Sequence, residues 1–339
     1  MIGNRLKRAR EALGLSLREL EAAIHGQVSA QAIGKYERDE MMPSSTILLA
    51  LAKALGVSPE YLLSEREIEL AAVEASVLDQ VERYLELEEL LPGAEQRWDA
   101  PAGKAFDISR VEDAEQAADA LRQHWKLGID PIPSVAELLA DKGVKVIALD
   151  LPENVSGSKA FVQRPKRKDL PVIVVNQGHN GERQRFTLAH ELAHLVLRFS
   201  GLSDLEQEKA ADRFAGAFLM AKEMVLRLLG PHRTSISIGE LAELKKIFKV
   251  SIASLVVRCA QVGIVTKAAY GRLWAQIKNL GWNSQASSEP GLLPSEVPQR
   301  MERLCLRAVA EGAISESRAA ELLNISVREL DRRLMGQAA

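Results

Sequence analysis

Phe186-Thr187-Leu188-Ala189-His190-Glu191-Leu192-Ala193-His194 is the stretch on which the reading of this chain turns. Nothing in it breaks a helix, and histidines four apart on a helix project from one face, one turn apart. That is the separation two imidazoles need to reach a single tetrahedral zinc. Glu191, next to the first histidine, has a carboxylate placed to take a proton from water whose pKa the metal lowers to about 7. The H-E-x-x-H spacing therefore points to a metal clamp and a general base together. A catalytic zinc takes three protein ligands and leaves one position open. The next helix, expected over 205–220, offers Glu208 with Asp212 one turn later. Glu208 is the expected third ligand, with Asp212 accepting the other ring N–H of a ligating histidine. Glu206 competes as ligand, although four residues beyond it stands Ala210, which gives no such support. Two plainer readings stand beside this one: a core helix whose histidines fill space, and a structural zinc. The second asks for a closed set of four Cys/His ligands, and no cysteine is near in sequence. His179 and His232 are candidates to polarise a scissile carbonyl, each in a polar turn where a solvated imidazole is the ordinary outcome.

Upstream of this helix, 144–149 (VKVIAL), 159–162 (KAFV) and 172–175 (VIVV) are short, rich in β-branched residues and separated by turn residues, the pattern of a small sheet. Helices are expected over 111–125, 135–141, 184–198 and 205–220, so 105–230 reads as an α+β domain with its sheet packed on the H-E-x-x-H helix. Residues 231–281 read as a helical subdomain of helix-turn-helix type, with helices over 239–248, 251–261 and 267–280. A polar stretch rich in Ser, Pro and Gly, 282–298, reads as a linker to a helical segment over 299–339. That last segment contains SRAAELLNISVREL, a further helix-turn-helix pattern, weighed as packing or dimerisation helices ahead of DNA reading.

Residues 1–64 read as an all-α module. Leu6, Ala9 and Leu13 recur at helical spacing up to Gly14; Ser16 caps a helix carrying Leu20, Ala23 and Ile24; a turn passes through His25 and Gly26. Ser29 then opens a second helix with Ile33 and Tyr36 inward, and helices over 45–55 and 58–63 close the core. Between this module and the α+β domain, 65–104 is an amphipathic helix stopped by Pro92-Gly93 and followed by a linker over 93–104. The fold class expected is thus mainly α, with a small α+β domain at its centre and helices at both ends.

Composition sets limits on function without choosing one. With 44 Lys and Arg against 46 Asp and Glu, bulk charge cannot hold nucleic acid, so DNA contact must come from a local patch. Cys259 and Cys305 are the two cysteines and form no CxxC pair, which argues against a disulfide framework or thiolate zinc knuckle and fits a reducing cytoplasm. The first ten residues, MIGNRLKRAR, have no apolar run behind them, and no long aliphatic stretch follows, so neither a signal peptide nor a membrane span is expected. The local patch lies in the N-terminal module. In a helix-turn-helix the second helix enters the major groove, early residues near base edges. Ala30, Gln31 and Lys35 would point outward there. Gln31 suits an adenine edge, Lys35 reaches guanine or phosphate, Ser29 or the helix N-terminus meets the backbone, and Arg5, Arg8, Arg10 and Arg18 add positive charge.

Three stretches, RLKRAREALGLSLRELEAAI, VSAQAIGKYERDEMMPSS and LLALAKALGVSPEYLL, are similar to the Xre/Cro-type DNA-binding domain over nearly its whole length, with a longer turn between Leu20 and Ser29 than is usual. The segment RQRFTLAHELAHLVL, preceded by a strand ending in VVN and followed by Glu208, Ala211, Phe214 and Ala215, resembles the ImmA/IrrE metallopeptidases. That likeness extends over 133–281, departing where Ala221 replaces the Pro usual after LLM. The resemblance implies a zincin-like fold, bound Zn2+, and site-specific proteolysis of a partner repressor; for the N-terminal module it implies a homodimer on a double-stranded DNA operator. Two classes of function follow. As an enzyme, the chain would hold zinc with His190, His194 and Glu208, activate water with Glu191, and bind an extended protein substrate. As a binding module, it would repress an operator without proteolysis, the zinc domain serving as a sensor or as a grip on a partner repressor or toxin.

Overall fold

The computed structural model describes residues 6–7, 9–10, 15–38, 40–41, 43–55, 66–101, 106–164, 169–282, 289–296 and 298–336. Two compact units divide the chain, Met1–Leu78 and Asp79–Ala339.

In the first unit, helix α1 (Leu17–Ala23) starts from a capping box, Ser16 accepting from the Glu19 amide while the Glu19 carboxylate accepts from the Ser16 amide at 2.7 Å. Helix α2 (Ala30–Glu37) is capped by Ser29, and the Glu21 carboxylate on α1 accepts from the Ala30 amide at 3.0 Å, so the two helices share a start signal. His25 and Gly26 both take positive φ, 56° and 68°, which turns the chain between them. With α3 (Ser45–Leu55), these helices bury Leu6, Leu20, Ile24, Ile33, Tyr36, Leu51 and Leu55. Arg10 forks onto Glu37 at 2.6 and 2.9 Å and donates to the Leu15 carbonyl, fixing the segment before α1 against the end of α2. The helix expected over 58–63, and Arg5, Arg8, Leu13 and Gly14, lie outside the described residues.

Helix α4 (Arg66–Leu90) leads into the second unit. There the order is β1 (Phe106–Ile108), α5 (Asp113–His124), α6 (Val135–Asp141), β2 (Lys145–Leu149), β3 (Gly157–Val162), β4 (Leu170–Asn176), α7 (Gly181–Val196), β5 (Leu197–Phe199) and α8 (Asp204–Leu219). Then come α9 (Lys222–Leu229), α10 (Ile238–Phe248), α11 (Ile252–Val262), α12 (Lys267–Asn279), α13 (Arg300–Ala310), α14 (Glu316–Leu323) and α15 (Val327–Leu334). The protein is mainly helical, with three strands in the order β2-β4-β3, β2 parallel and β3 antiparallel to the central β4. β4 is buried at every residue, as its unbroken aliphatic run requires. On one face of the sheet Val146, Ile173 and Val175 share a core with Leu188, Ala189 and Leu192 of α7. On the other, Lys145 reaches Glu88 of α4 at 2.6 Å with both side chains buried, and lies over the Tyr84 ring.

Helices α7 and α8 pack against each other, and Ala189, Ala193, Ala210, Ala211 and Ala215 are fully buried in the core the two helices share; such small side chains let helix axes approach closely. Arg258 of α11, itself buried, forks onto Glu115 of α5 at 2.6 and 2.8 Å and donates to the Met220 carbonyl; Arg213 of α8 binds the same carboxylate at 3.0 Å. The central helix pair is thereby locked to the helices around it. The helix-turn-helix pattern over 231–281 is used for packing: α11 buries Ile252, Leu255, Val256, Arg258 and Cys259.

Three expectations need correction. The helix over 184–198 stops at Val196 and passes directly into β5, which pairs in parallel with β1 through Phe106↔Leu197 to Ile108↔Phe199; three-residue strands carry too little pattern to be seen in sequence. The described part of the linker over 93–104 is docked: Trp125 donates to the Asp99 carbonyl at 3.1 Å, and a Cβ on Gly143 would lie 2.4 Å from the Arg97 backbone. The linker over 282–298 is, in residues 289–296, a strap across the start of α7. Buried Glu296 accepts from Arg185 and from the Val135 amide, both at 2.6 Å, and buried Glu289 accepts from Lys245 at 2.6 Å. A Cβ on Gly181 would stand 2.1 Å from the Pro294 carbonyl oxygen. Polar composition suggested solvent, but these carboxylates are buried because cations and amides meet them.

Candidate metal centre

Asn180 caps α7, its side chain accepting from the Arg183 amide, and Leu188, Ala189, Leu192, Ala193 and Val196 hold the helix in the core. That burial turns His190, Glu191 and His194 toward the one part of the helix left open. His190 Nε2 and His194 Nε2 stand 3.2 Å apart. Helix α8 brings Glu208 to the same point, one carboxylate oxygen 3.2 Å from His190 Nε2 and the other 3.4 Å from His194 Nε2. The ligand atoms of His190, His194 and Glu208 all lie within 4.8 Å of one another. Two donors at about 2.0–2.1 Å from one tetrahedral zinc stand about 3.3 Å apart, so the donor set and its spacing fit that ion.

Asp212, one turn beyond Glu208, accepts from His190 Nδ1 at 2.9 Å. A carboxylate only accepts, so the ring proton sits on Nδ1 and the neutral imidazole presents its Nε2 lone pair to the cluster. Burial works against the charged form of His190, but the Asp212 hydrogen bond and the carboxylates of Asp212, Glu191 and Glu208 outweigh it, raising the pKa. His194 goes the other way: burial, then the charges of Lys159 and His190, lower it to about 4, which leaves that ring neutral and free to bind a cation. The Phe199 ring packs edge-on against His194 at 5.7 Å. Burial raises the Glu191 pKa, toward the range in which a carboxylate both takes and returns a proton.

Glu206 is committed elsewhere, accepting from the Ser203 amide at 2.9 Å and from its hydroxyl at 2.6 Å to cap its own helix. His179 is also excluded from the cluster. Its Nε2 lies 3.0 Å from the Glu153 carbonyl, in the turn before α7, and the helix rises about 13.5 Å from Gly181 to His190. His232 is exposed. The sequence reading missed Lys159, whose charge acts on both Glu191 and His194. Only the strand-on-helix register reveals it.

On the first unit, Gln31 and Lys35 of α2 are exposed one turn apart, with Ser29 at the helix start and Arg18 exposed on α1. Ala30 is half-buried. Ile33, Gly34 and Tyr36 fill the inward side of α2. Residues 6–62 match the family model described as Helix-turn-helix, and residues 139–260 match a peptidase family described as the IrrE N-terminal-like domain. No curated protein matches the chain. Among the described residues no helix is long and apolar enough to cross a membrane. The chain thus joins an Xre/Cro-type helix-turn-helix DNA-binding domain to a domain of the ImmA/IrrE peptidase family.

Proposed function

We propose that this is a cytoplasmic transcriptional regulator that binds a double-stranded DNA operator as a homodimer and cleaves a partner repressor with a zinc-dependent peptidase domain. The convergence of His190, His194 and Glu208 beside Glu191 carries the proposal, because those four side chains make a ligand set and a base in one place. His190, His194 and Glu208 would hold zinc, and Asp212 would keep His190 in the ligating tautomer. When bound, zinc supplies Lewis acidity, which makes water a nucleophile near neutral pH and polarises a carbonyl.

The chain's own groups do the rest. Among the described residues β3 is an edge strand, beside α7, so an extended segment of substrate can pair along it and present a scissile carbonyl at the cluster. Hydrolysis joins a water oxygen to the carbonyl carbon and breaks the C–N bond; Glu191 takes the proton from water and delivers it to the departing amine. On the DNA side, Gln31 and Lys35 read bases and phosphate while Ser29, Ala30 and Arg18 seat the helix.

Glu191→Gln tests the enzymatic half. The full-length variant is expected to bind metal like the parent and to lose hydrolysis by about 10²–10⁴-fold, so that a reporter repressed through the operator stays repressed. Relief of repression equal to the parent's would refute proteolysis and favour the purely binding role.

A further inference from the structure

We infer that Lys159 is a further catalytic residue, its ammonium binding the carbonyl oxygen of the substrate as that oxygen becomes anionic; this rests on the metallopeptidase reading above. The register of β3 decides which face carries Lys159. Gly157 lies opposite Val175 and Lys159 opposite Ile173, and both β4 partners belong to the core shared with α7. Directly paired residues point to the same face of a sheet, so Gly157 and Lys159 face α7. Gly157 confirms the side: a Cβ there would come within 2.6 Å of Thr187 Cγ2.

From this contact the two elements run on together. Two strand residues advance about 6.6 Å and four helix residues about 6.0 Å, which carries Lys159 to the level of Glu191, one turn after Thr187. The charge on Lys159 accordingly acts on Glu191 and on His194. Ile173 occupies the central strand and is buried; Lys159, one strand further out, is exposed at the sheet edge and open to an incoming segment. Among the described residues no carboxylate forms an ion pair with it, so its ammonium is available to a ligand.

A cation on the edge strand, level with the base and beside a ligating histidine, faces the place where a substrate oxygen gains negative charge. The two histidines that the sequence offers for this role do not come there: His179 is held at the far end of α7, and His232 is exposed and not in the cluster. Lysine meets the need at lower geometric cost than arginine, as a compact point charge on a flexible stem.

The test uses the full chain loaded with Co2+ and titrated with acetohydroxamate, an anionic oxygen donor, followed by the visible cobalt spectrum. Lys159→Met is expected to take up the same cobalt per chain and to bind acetohydroxamate about tenfold or more weakly, with Lys159→Arg recovering most of the loss. Equal affinity in Lys159→Met and the parent would overturn the assignment of Lys159 while leaving the metal site intact. A parent protein with no cobalt spectrum would overturn the metallopeptidase reading itself and Lys159's role with it, so the two failures are told apart by the first measurement.

Discussion

The two halves of this protein use histidine, glutamine and carboxylate side chains in opposite ways. On α2, Gln31 and Lys35, the residues proposed to read DNA, are exposed one turn apart, while Ile33 and Tyr36 are buried on the inward side. At the candidate metal centre, groups from α7 and α8 meet at 3.2–3.4 Å, and the histidines are largely buried. A surface that reads a duplex needs correct spacing along one element. A site that holds a cation needs several elements fixed against one another, so its geometry depends on every contact that locks α7 to α8.

Replacing His190 by Ala tests that difference most severely. One lost ligand of three should take metal content from about one per chain to near zero by elemental analysis, while operator affinity stays within about twofold. Next is Glu296→Ala, which leaves Arg185 buried without its carboxylate; about 3–5 kcal/mol of stability should be lost, read as a lower thermal midpoint of the second unit. An unchanged midpoint would mean that the strap does not brace α7. Asp212→Ala should weaken zinc by about 10–100-fold in a chelator competition, since His190 loses the group that fixes its tautomer. For the reading helix, Gln31→Ala should cost about 1–3 kcal/mol in operator affinity at fixed salt and relax the base preference, with metal content untouched. Equal affinity would remove Gln31 from the interface.

The smallest effect separates the two histidines by pH. In metal-free protein the His190 ring should titrate above 6.5 and the His194 ring near 4, followed by NMR of the ring protons. The signs are opposite. His190, with a raised pKa, adds stability when protonated, present below about 6.5 and lost as pH rises through its folded value. His194, with a depressed pKa, makes the folded chain refuse a proton that the unfolded chain takes, so its contribution is full above about 6.5 and falls away toward pH 4. Two rings titrating together would contradict the separate environments, in which burial and then Lys159 lower His194 while Asp212 raises His190.

Much of the candidate site is legible in the sequence because it is helical. His190 and His194 are four apart, as are Glu208 and Asp212, and the α-helix converts that spacing into a shared face without help from the rest of the fold. The preference for Glu208 over Glu206 drew on the same period, and in the structure Glu206 caps α8. The aliphatic run 172–175 likewise carried its own reading, because a strand buried on both faces needs no polar alternation.

Sequence by itself determined the two modules, the helix faces that carry Gln31, Lys35, His190 and His194, and the central strand, all of them consequences of local period and capping. Tertiary structure alone decided what polar segments do and which distant residues share a site. Residues 289–296 look like a linker until Arg185, Lys245 and the Val135 amide are brought to their carboxylates. Lys159 looks like a surface lysine until β3 is laid along α7. Neither fact has a local signature, because the energy of a buried ion pair or of a cation beside a base belongs to the meeting of two elements and is absent from each alone.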